Sequence, residues 1–252
     1  MSEIDKLIKM IKDSKKIVFF GGAGVSTESG LKDFRSSDGL YNEKYKYPPE
    51  EVLSHSFFIN HTGAFYDFYR DKLNPNNYKP NITHYVLSKM EHNNMLSSVI
   101  TQNIDGFHQD AGSSNVLELH GSVKRNYCMK CHRFYSDDVI FNSTGIPKCD
   151  CGGIIKPDVV LYEEGLNENV IKKTINEIST CDLLIIGGTS LNVYPAASFI
   201  NYFRGKYLVL INKSITQYDH ICNLVIHDSI GKVFESIEKS LFWTEPQKLD
   251  SL

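Results

Sequence analysis

The sequence lacks any long hydrophobic run. Its apolar runs, such as residues 17–20 and 183–186, fall far short of the roughly 18 residues that a membrane-spanning helix needs. The N-terminus carries Glu3, Asp5 and Lys6 and has neither the apolar core nor the cleavage site of a secretory signal. We therefore expect a cytoplasmic protein.

An excess of one charge is also missing. Thirty acidic and 27 basic residues give a net charge of −3, so no overall field attracts nucleic acid or an anionic membrane. We expect neither as a partner. The content of 17 Gly and 8 Pro among 252 residues is that of an ordinary globular chain, which excludes disordered and collagen-like proteins.

Short apolar runs alternate with segments of helical periodicity. Apolar residues spaced at i, i+3, i+4 and i+7 predict an amphipathic helix over residues 2–14. Buried strands are predicted at residues 17–20, 98–101, 183–187, 207–211 and 224–226. Further helices are predicted near residues 82–92, 168–179, 195–204 and 231–242. This alternation predicts an α/β fold with a parallel sheet, which binds ligands beyond the carboxyl ends of its strands.

A glycine-rich loop follows the first strand. In Gly21-Gly22-Ala23-Gly24, small residues let the backbone turn tightly and approach a ligand. The run is the start of a dinucleotide-binding fingerprint, although Thr27 stands where a third glycine is expected. Alone, the motif is a weak signal.

Polar residues close the other strands. They form the runs Thr101-Gln102-Asn103-Ile104-Asp105, Gly187-Gly188-Thr189-Ser190 and Asn212-Lys213. Each run is also compatible with ordinary turn chemistry, but their joint placement at successive strand ends favours a ligand site. His120 follows another strand-like run; a lone histidine is more often structural, so it carries no assignment by itself.

Four cysteines interrupt the α/β pattern. Cys128-x-x-Cys131 is followed, after 17 residues, by Cys149-x-Cys151, and two such pairs typically close a four-cysteine zinc site. A disulfide is disfavoured in a reducing compartment, and a redox C-x-x-C leaves the second pair unexplained. Four protein ligands leave no open position, so we predict one structural zinc. A second irregular segment, about residues 32–57, contains Pro48-Pro49 and is predicted to be a mobile functional loop region.

The ordered motifs closely resemble the sirtuin family of NAD-dependent protein deacylases. They span about residues 15–232 and comprise residues 22–35, Gly39-Leu40-Tyr41, Gln102-Asn103-Ile104-Asp105, Leu119-His120-Gly121, the four cysteines and Gly188-Thr189-Ser190. The resemblance implies a Rossmann-like parallel sheet with an inserted small zinc-binding module. The large domain would comprise about residues 1–31, 58–124 and 156–252, and the module about 125–155, with a flexible cofactor-loop and helical segment at about 32–57.

The resemblance also implies the NAD-binding residues. Gly22, Ala23, Gly24 and Thr27 would approach the pyrophosphate, where phosphate needs donors at close range. Asp33 and Arg35 would belong to the cofactor loop, and Phe34 would cover the reacting ribose. Gln102 would lie on the ribose. The nicotinamide pocket would be lined by Asn103, Ile104 and Asp105. The adenosine half would lie against Gly188, Thr189, Ser190, Asn212, Lys213 and Ile230.

The implied reaction uses two residues as catalytic groups. The acyl oxygen of the modified lysine attacks the nicotinamide ribose and releases nicotinamide, a departure favoured by the twisted carboxamide that Asn103 and Asp105 hold. His120 then acts as general base on a ribose hydroxyl, a role that suits an imidazole with an ordinary pKa near 6.5. The products are lysine, nicotinamide and O-acetyl-ADP-ribose.

Two segments resemble those that hold the substrate peptide as an added strand. The contacts would come from Val159, Val160, Leu161, Tyr162, Asn192 and Val193. Backbone pairing of this kind predicts acceptance of varied acetylated protein segments. Leu161-Tyr162-Glu163-Glu164 differs from the family's commonest wording, Phe-Gly-Glu, and Lys156 stands where arginine is common. We interpret both as subgroup variation.

The acyl pocket is predicted to take short neutral groups. Sirtuins that prefer succinyl or malonyl lysine carry Tyr-x-x-Arg, whereas this chain has Tyr66-Asp67-Phe68-Tyr69. Arg70 lies one residue further on, about 100° away around a helix. Ala64, Phe65 and Phe68 predict an apolar channel; simple core packing is the other interpretation of this stretch and could coexist with the pocket.

Two other functions stay open at this point. A mono-ADP-ribosyltransferase would use the same activated ribose with another nucleophile, and a non-catalytic NAD-binding module would keep only the fold. A zinc hydrolase is disfavoured because the cysteine set has no open coordination position. We expect a monomer.

Overall fold

A six-stranded parallel sheet forms the centre of the protein. The computed structural model describes residues 1–33, 39, 41 and 45–243. The strands are β1 Ile17–Gly21, β2 Leu96–Thr101, β3 Val116–Glu118, β4 Gly121–Cys128, β5 Phe134–Tyr135, β6 Ile155–Val159, β7 Leu183–Gly187, β8 Tyr207–Ile211 and β9 Leu224–Ile226. The large sheet has the order β3-β2-β1-β7-β8-β9, and a three-stranded antiparallel sheet has the order β5-β4-β6.

Helices cover both faces of the large sheet. The α-helices are α1 Glu3–Lys12, α2 Pro49–Val52, α3 His55–Asn60, α4 Thr62–Lys72, α5 Ile82–His92, α6 Phe107–Asp110, α7 Asp138–Phe141, α8 Glu168–Thr180 and α9 Ile230–Phe242. Short 3₁₀ helices lie at Ala23–Val25, Thr27–Ser29, Ala196–Tyr202 and Asp219–Ile221. Within the described ranges, no helix combines the length and apolar character required to cross a membrane.

Alternating residues of the central strands feed two separate cores. Ile17 and Phe19 of β1 pack in one core with α1, α5 and α9, whereas Val18 and Phe20 pack in the other with α8 and the 3₁₀ helix Ala196–Tyr202. Successive side chains of a strand point to opposite faces, so a strand buried on both sides needs an unbroken apolar run. The run at residues 17–20 meets that need.

The strand order places a crevice between β1 and β7. From β1 the chain builds outward through β2 and β3, then returns to the other side of β1 with β7 and continues to β9. Such a reversal is the switch point at which open parallel sheets bind ligands, beyond the carboxyl ends of the strands. Gly21 pairs with Gly187 at this end, so the two glycine-containing turns leave the sheet side by side.

A third core joins the small sheet to α2, α3 and α4. Phe58, Phe65 and Tyr66 pack there with the module residues Cys128 and Ile155. α3 and α4 bury aromatic residues against the module, and about residues 58–124, which include α4, were assigned to the large domain. The small sheet also begins at Gly121 and ends at Val159, wider than the predicted 125–155. The division into domains itself stays a prediction.

The structure specifies two local expectations. The cofactor-loop and helical segment expected at about 32–57 contains the helix at 49–52 and the start of the helix at 55–60. Pro49 is the first residue of α2, where a fixed φ favours helix, and Glu50 and Glu51 lie favourably in the first turn. The predicted helix near 195–204 is 3₁₀ in type, and the Ser198 hydroxyl donates to the Pro195 carbonyl at 2.6 Å.

Candidate active site

The glycine-rich loop packs directly on the end of β7. The Gly22 and Gly24 amides donate to the Gly187 and Gly188 carbonyls at 3.3 and 2.8 Å. A Cβ atom on Gly24 would lie 2.8 Å from the Gly188 Cα, and one on Gly22 would lie 2.7 Å from the Thr189 Cβ. Both positions therefore require glycine, because the neighbouring backbone has no room to move aside.

A buried hydrogen-bond network joins this loop to the end of β2. The Ser26 hydroxyl donates to the Asp105 carboxylate at 2.7 Å, and the Asn103 amide donates to the Ser26 oxygen at 3.0 Å. The Phe107 amide also donates to Asp105, at 2.9 Å. Burial raises the pKa of Asp105, and the bonds from Phe107 and Ser26 oppose that rise. The network fixes the orientation of an amide and a carboxyl group at the sheet edge.

His120 lies at the start of the small sheet with its ring orientation fixed. Its Nδ1 is 2.8 Å from the Gln102 carbonyl oxygen. Because a carbonyl only accepts, Nδ1 carries the proton and Nε2 presents its lone pair. Burial lowers the pKa of His120, against the opposing effect of the Gln102 bond, so the ring is neutral and able to accept a proton at pH 7.

One cavity of about 1110 Å³ contains the predicted ligand-binding groups. Its lining includes every NAD-directed residue that the structure describes, namely Gly22, Ala23, Gly24, Thr27, Asp33, Gln102, Asn103, Ile104, Asp105, Gly188, Thr189, Ser190, Asn212, Lys213 and Ile230. His120 and all six residues predicted to contact the peptide also line it. Phe34 and Arg35 lie outside the described residues. The structure thus brings the predicted groups together, and their individual roles stay predictions.

The peptide-directed segment is bonded to the backbone of His120. The Val160 amide donates to the His120 carbonyl at 3.0 Å, and Gly121 pairs with Val159 in the small sheet. Asn192 and Val193 line the same cavity from the chain that follows β7. An extended segment bound between these two walls would pass next to the imidazole.

Two of the three α4 residues expected to form an acyl channel, Phe65 and Phe68, belong to a core. Phe65 and Phe68 are buried next to the module, and Ala64 is exposed. The Tyr66 hydroxyl donates to the Ile155 carbonyl at 2.6 Å, which holds the helix against β6. Neither phenylalanine nor Ala64 is part of the cavity lining among the described residues. Core packing therefore describes the two phenylalanines, whereas exposed Ala64 belongs to neither the core nor the cavity lining.

The four module cysteines converge on one point. The Cys128 and Cys151 sulfurs are 3.4 Å apart, those of Cys131 and Cys149 are 3.6 Å apart, and all four lie within 4.8 Å of one another. Four sulfurs about 2.3 Å from a central zinc would be separated by nearly 3.8 Å, so the set fits a tetrahedral ion. A hydrogen bond from Tyr135 lowers the pKa of Cys149, whereas bonds with the neighbouring thiols raise the pKa of Cys151 against the opposing effect of the Gly153 amide. Binding of zinc would displace the protons that the four sulfurs share.

Three residues of the candidate site were given no individual role from the sequence. Ser26 is central to the buried network, Tyr41 lines the cavity, and Glu28 accepts bonds from the Ser229 hydroxyl at 2.7 Å and the Gly231 amide at 3.1 Å at the start of α9. Ser26 and Glu28 lie inside the glycine-rich motif, whose spacing was the available signal. Their partners are 79 and more than 200 residues away, which no local pattern reveals.

The switch-point cavity, its glycine-rich loop and its amide-lined strand ends define a nucleotide-binding α/β protein. The Sir2 family model matches residues 22–195. An NAD-dependent protein deacetylase of Clostridium perfringens is 60% identical over 239 residues, and one of Clostridium acetobutylicum is 57% identical over 241 residues. These alignments cover 93% and 94% of this chain, respectively, and 98% of each relative. The chain belongs to the Sir2 family.

Solved Sir2 structures share the fold. A complex of Sir2 with a p53 peptide and NAD+ is 35% identical to the chain, with a TM-score of 0.84. Sir2 bound to an acetylated peptide is 34% identical, with a TM-score of 0.85. Each match covers 95% of this chain and 98% of the other. The predicted Rossmann-like sheet with an inserted cysteine module is confirmed.

Proposed function

We propose that this protein is an NAD-dependent protein-lysine deacetylase. The observation that carries the proposal is the single cavity in which the glycine-rich loop, the Asn103–Asp105 network, His120 and the peptide-directed segments meet. Relatives that are 60% and 57% identical are named NAD-dependent protein deacetylases. The substrates are NAD and acetyl-lysine within extended protein segments.

The cavity suits the chemical groups of NAD. The glycine-rich loop offers a close backbone surface for the pyrophosphate. A Cβ at Gly24 would collide with the Gly188 backbone and displace this loop. Thr189 and Asn212 supply polar side chains on the adenosine side. Asn103 and Asp105 present an amide and a buried carboxyl group to the nicotinamide carboxamide. A dinucleotide therefore has a matching surface along the whole switch point.

The reaction follows from the placement of His120. The acyl oxygen bonds to C1′ of the ribose as the bond from C1′ to nicotinamide breaks. The Nε2 lone pair of His120 accepts the proton of a ribose hydroxyl, whose oxygen then bonds to the acyl carbon. One water is consumed to release lysine and O-acetyl-ADP-ribose. The bond from Nδ1 to the Gln102 carbonyl keeps the basic nitrogen turned away from the backbone.

We assign zinc a structural role. The four sulfurs provide a complete ligand set and leave no position for water. Cys128 and Cys149 also belong to the core shared with α3 and α4, so the metal would stabilise that core. The protein would act in the cytoplasm as a monomer, for which light scattering must report about 28.7 kDa.

The test is a product analysis. The protein is incubated with an acetyl-lysine peptide, with and without NAD, and peptide, nicotinamide and O-acetyl-ADP-ribose are followed by mass spectrometry. Equal amounts of all three products, dependent on NAD, are expected. NAD consumption with retention of the acetyl group would instead support ADP-ribosyl transfer, and no NAD consumption would support a binding module.

A matched pair of histidine variants tests the base. His120→Ala is expected to lower turnover by about 10²- to 10⁴-fold and to keep NAD binding. Exposed His220 lies outside the cavity lining of the described chain, and His220→Ala is expected to keep wild-type turnover. Equal turnover of both variants would refute the assignment of His120.

A further inference from the structure

Two tyrosine hydroxyls meet across the cavity. The Tyr41 and Tyr162 oxygens are 2.6 Å apart, and both residues line the cavity. Tyr41 lies in the segment that also contains the NAD-directed residues Asp33 to Arg35, whereas Tyr162 follows Val159 to Leu161 on the peptide wall. The hydrogen bond therefore joins the part of the site that is directed at NAD to the part directed at the peptide.

The backbone of Tyr162 is fixed on the other side. Its amide donates to the Leu53 carbonyl at 2.9 Å, and its carbonyl accepts from the His55 amide at 3.0 Å. These two bonds form a bridge between the peptide wall and the start of α3. The backbone of Tyr162 is therefore held in place by its hydrogen bonds to Leu53 and His55 beside α3.

The next two residues strengthen this attachment. Glu163 has a left-handed backbone, with φ of 75°, and its carboxylate accepts from the Ser56 amide and hydroxyl at 2.8 and 2.9 Å. The Glu164 carboxylate accepts from the Leu161 amide at 2.9 Å and pairs with Lys156 at 3.2 Å. Carboxylates bonded to backbone donors in this way are strongly held. Residues 161–164 therefore form a rigid clasp, which we call the 161–164 clasp.

We propose that Tyr162 is a positioning residue which, through its hydroxyl bond to Tyr41, couples the binding of NAD to the binding of the acetylated peptide. The inference rests on the proposed function. Val160 directly precedes the 161–164 clasp, and its amide donates to the His120 carbonyl. The peptide-directed segment that contains Tyr162 is therefore also attached to the backbone of the proposed base. A ligand that contacts Tyr41 or Tyr162 and favours the hydrogen bond between them also favours the binding of the other ligand, and the coupling is reciprocal.

The test is a double-mutant cycle on ligand coupling. Affinity for a fluorescent acetyl-lysine peptide is measured by anisotropy with and without saturating ADP-ribose, which lacks nicotinamide and so permits no turnover. The wild type should bind the peptide more tightly with ADP-ribose. Tyr41→Phe and Tyr162→Phe each remove one hydroxyl and keep the ring, and each should reduce this ratio roughly two- to tenfold, as expected for one hydrogen bond. The double variant should lose no more than either single variant.

A third tyrosine provides the control. The Tyr218 hydroxyl lies 3.3 Å from the Tyr194 hydroxyl, and Tyr218→Phe should keep the wild-type ratio. The inference is overturned if Tyr162→Phe keeps the wild-type ratio of peptide affinities, or if the reductions of that ratio in the two single variants add up in the double variant. In either case, deacetylation by the wild type still upholds the proposed function. A wild type that neither binds ADP-ribose nor deacetylates would refute both.

Discussion

Acid should destabilise this protein through a buried histidine beneath the glycine-rich loop. His84 is fully buried, and its Nδ1 accepts from the Asn81 amide at 3.1 Å. The Asn81 side chain in turn donates to the Val25 carbonyl at 2.7 Å and the Ser29 hydroxyl at 2.9 Å. His84 thus supports, through Asn81, both turns of the loop that we propose binds NAD, and protonation of His84 would break its bond to the Asn81 amide.

The magnitude follows from linkage. Burial lowers the pKa of His84 from 6.5 to about 4. The folded state therefore favours the neutral ring, and this stability is complete above pH 6.5 and is lost as the pH falls toward 4. Between pH 6.5 and pH 5 mainly the unfolded chain takes up the proton, at about 1.4 kcal/mol per pH unit, which amounts to about 2 kcal/mol. The ring of His108 lies 4.7 Å away, and burial lowers its pKa as well.

The assay compares thermal unfolding at pH 7 and pH 5 in wild type and His84→Gln. Glutamine is a good third residue for a helix because its side chain accepts from the cap amide, and it does not titrate. His108 and the cysteine site are present in both proteins, so their effects largely cancel. The wild type should lose about 4–8 °C more than the variant between the two pH values.

Exposed His220 supplies the control, since His220→Gln should follow the wild type at both pH values. If wild type and His84→Gln lose the same stability between pH 7 and pH 5, the reasoning about His84 is wrong. A loss of NAD affinity in His84→Gln at pH 7 would show that the histidine also supports the loop when neutral.

Three further predictions concern the site directly. In Gly24→Ala the new Cβ would lie 2.8 Å from Gly188, so the KM for NAD should rise at least tenfold while the circular dichroism spectrum stays unchanged. In the control Gly63→Ala the new Cβ meets nothing within 4 Å, and the KM should not rise. Equal KM values for the two variants would contradict the packing argument. Metal analysis should find one zinc per chain. The Cys149→Ser variant should lose this zinc and unfold at a lower temperature. If a chelator stops turnover without unfolding the protein, the structural role of zinc is contradicted. Because burial lowers the pKa of His120, the acid limb of kcat/KM should lie below pH 6.5, and a limb above that value would exclude a neutral buried base.

The sequence predicts the framework of the site well, because strands buried on both faces need unbroken apolar runs. Residues 183–187 and 207–211 therefore match β7 and β8, and the polar residues after them lie where the sheet topology requires. The cysteine spacing likewise implies a metal site without knowledge of the fold. These features depend on local pattern alone.

The parts that the sequence did not predict depend on distant partners. The same aromatic run in α4 is compatible with a channel or with a core, and the Tyr66 bond to Ile155, 89 residues away, is what places it in a core. Pro48-Pro49 is compatible with a loop or with the first turn of a helix, and Pro49 begins α2. For the aromatic run of α4, tertiary packing selects between a channel and a core.

The backbone bonds from Gly22 to Gly187 and from Gly24 to Gly188 span about 165 residues of chain. During synthesis, the N-terminal loop must therefore wait until β7 has left the ribosome before its ligand surface exists. Closing so long a loop is slow, and it precedes any ligand contact. A growing chain that has not yet reached β7 would hold the glycine-rich motif but would lack the backbone partners that shape its surface.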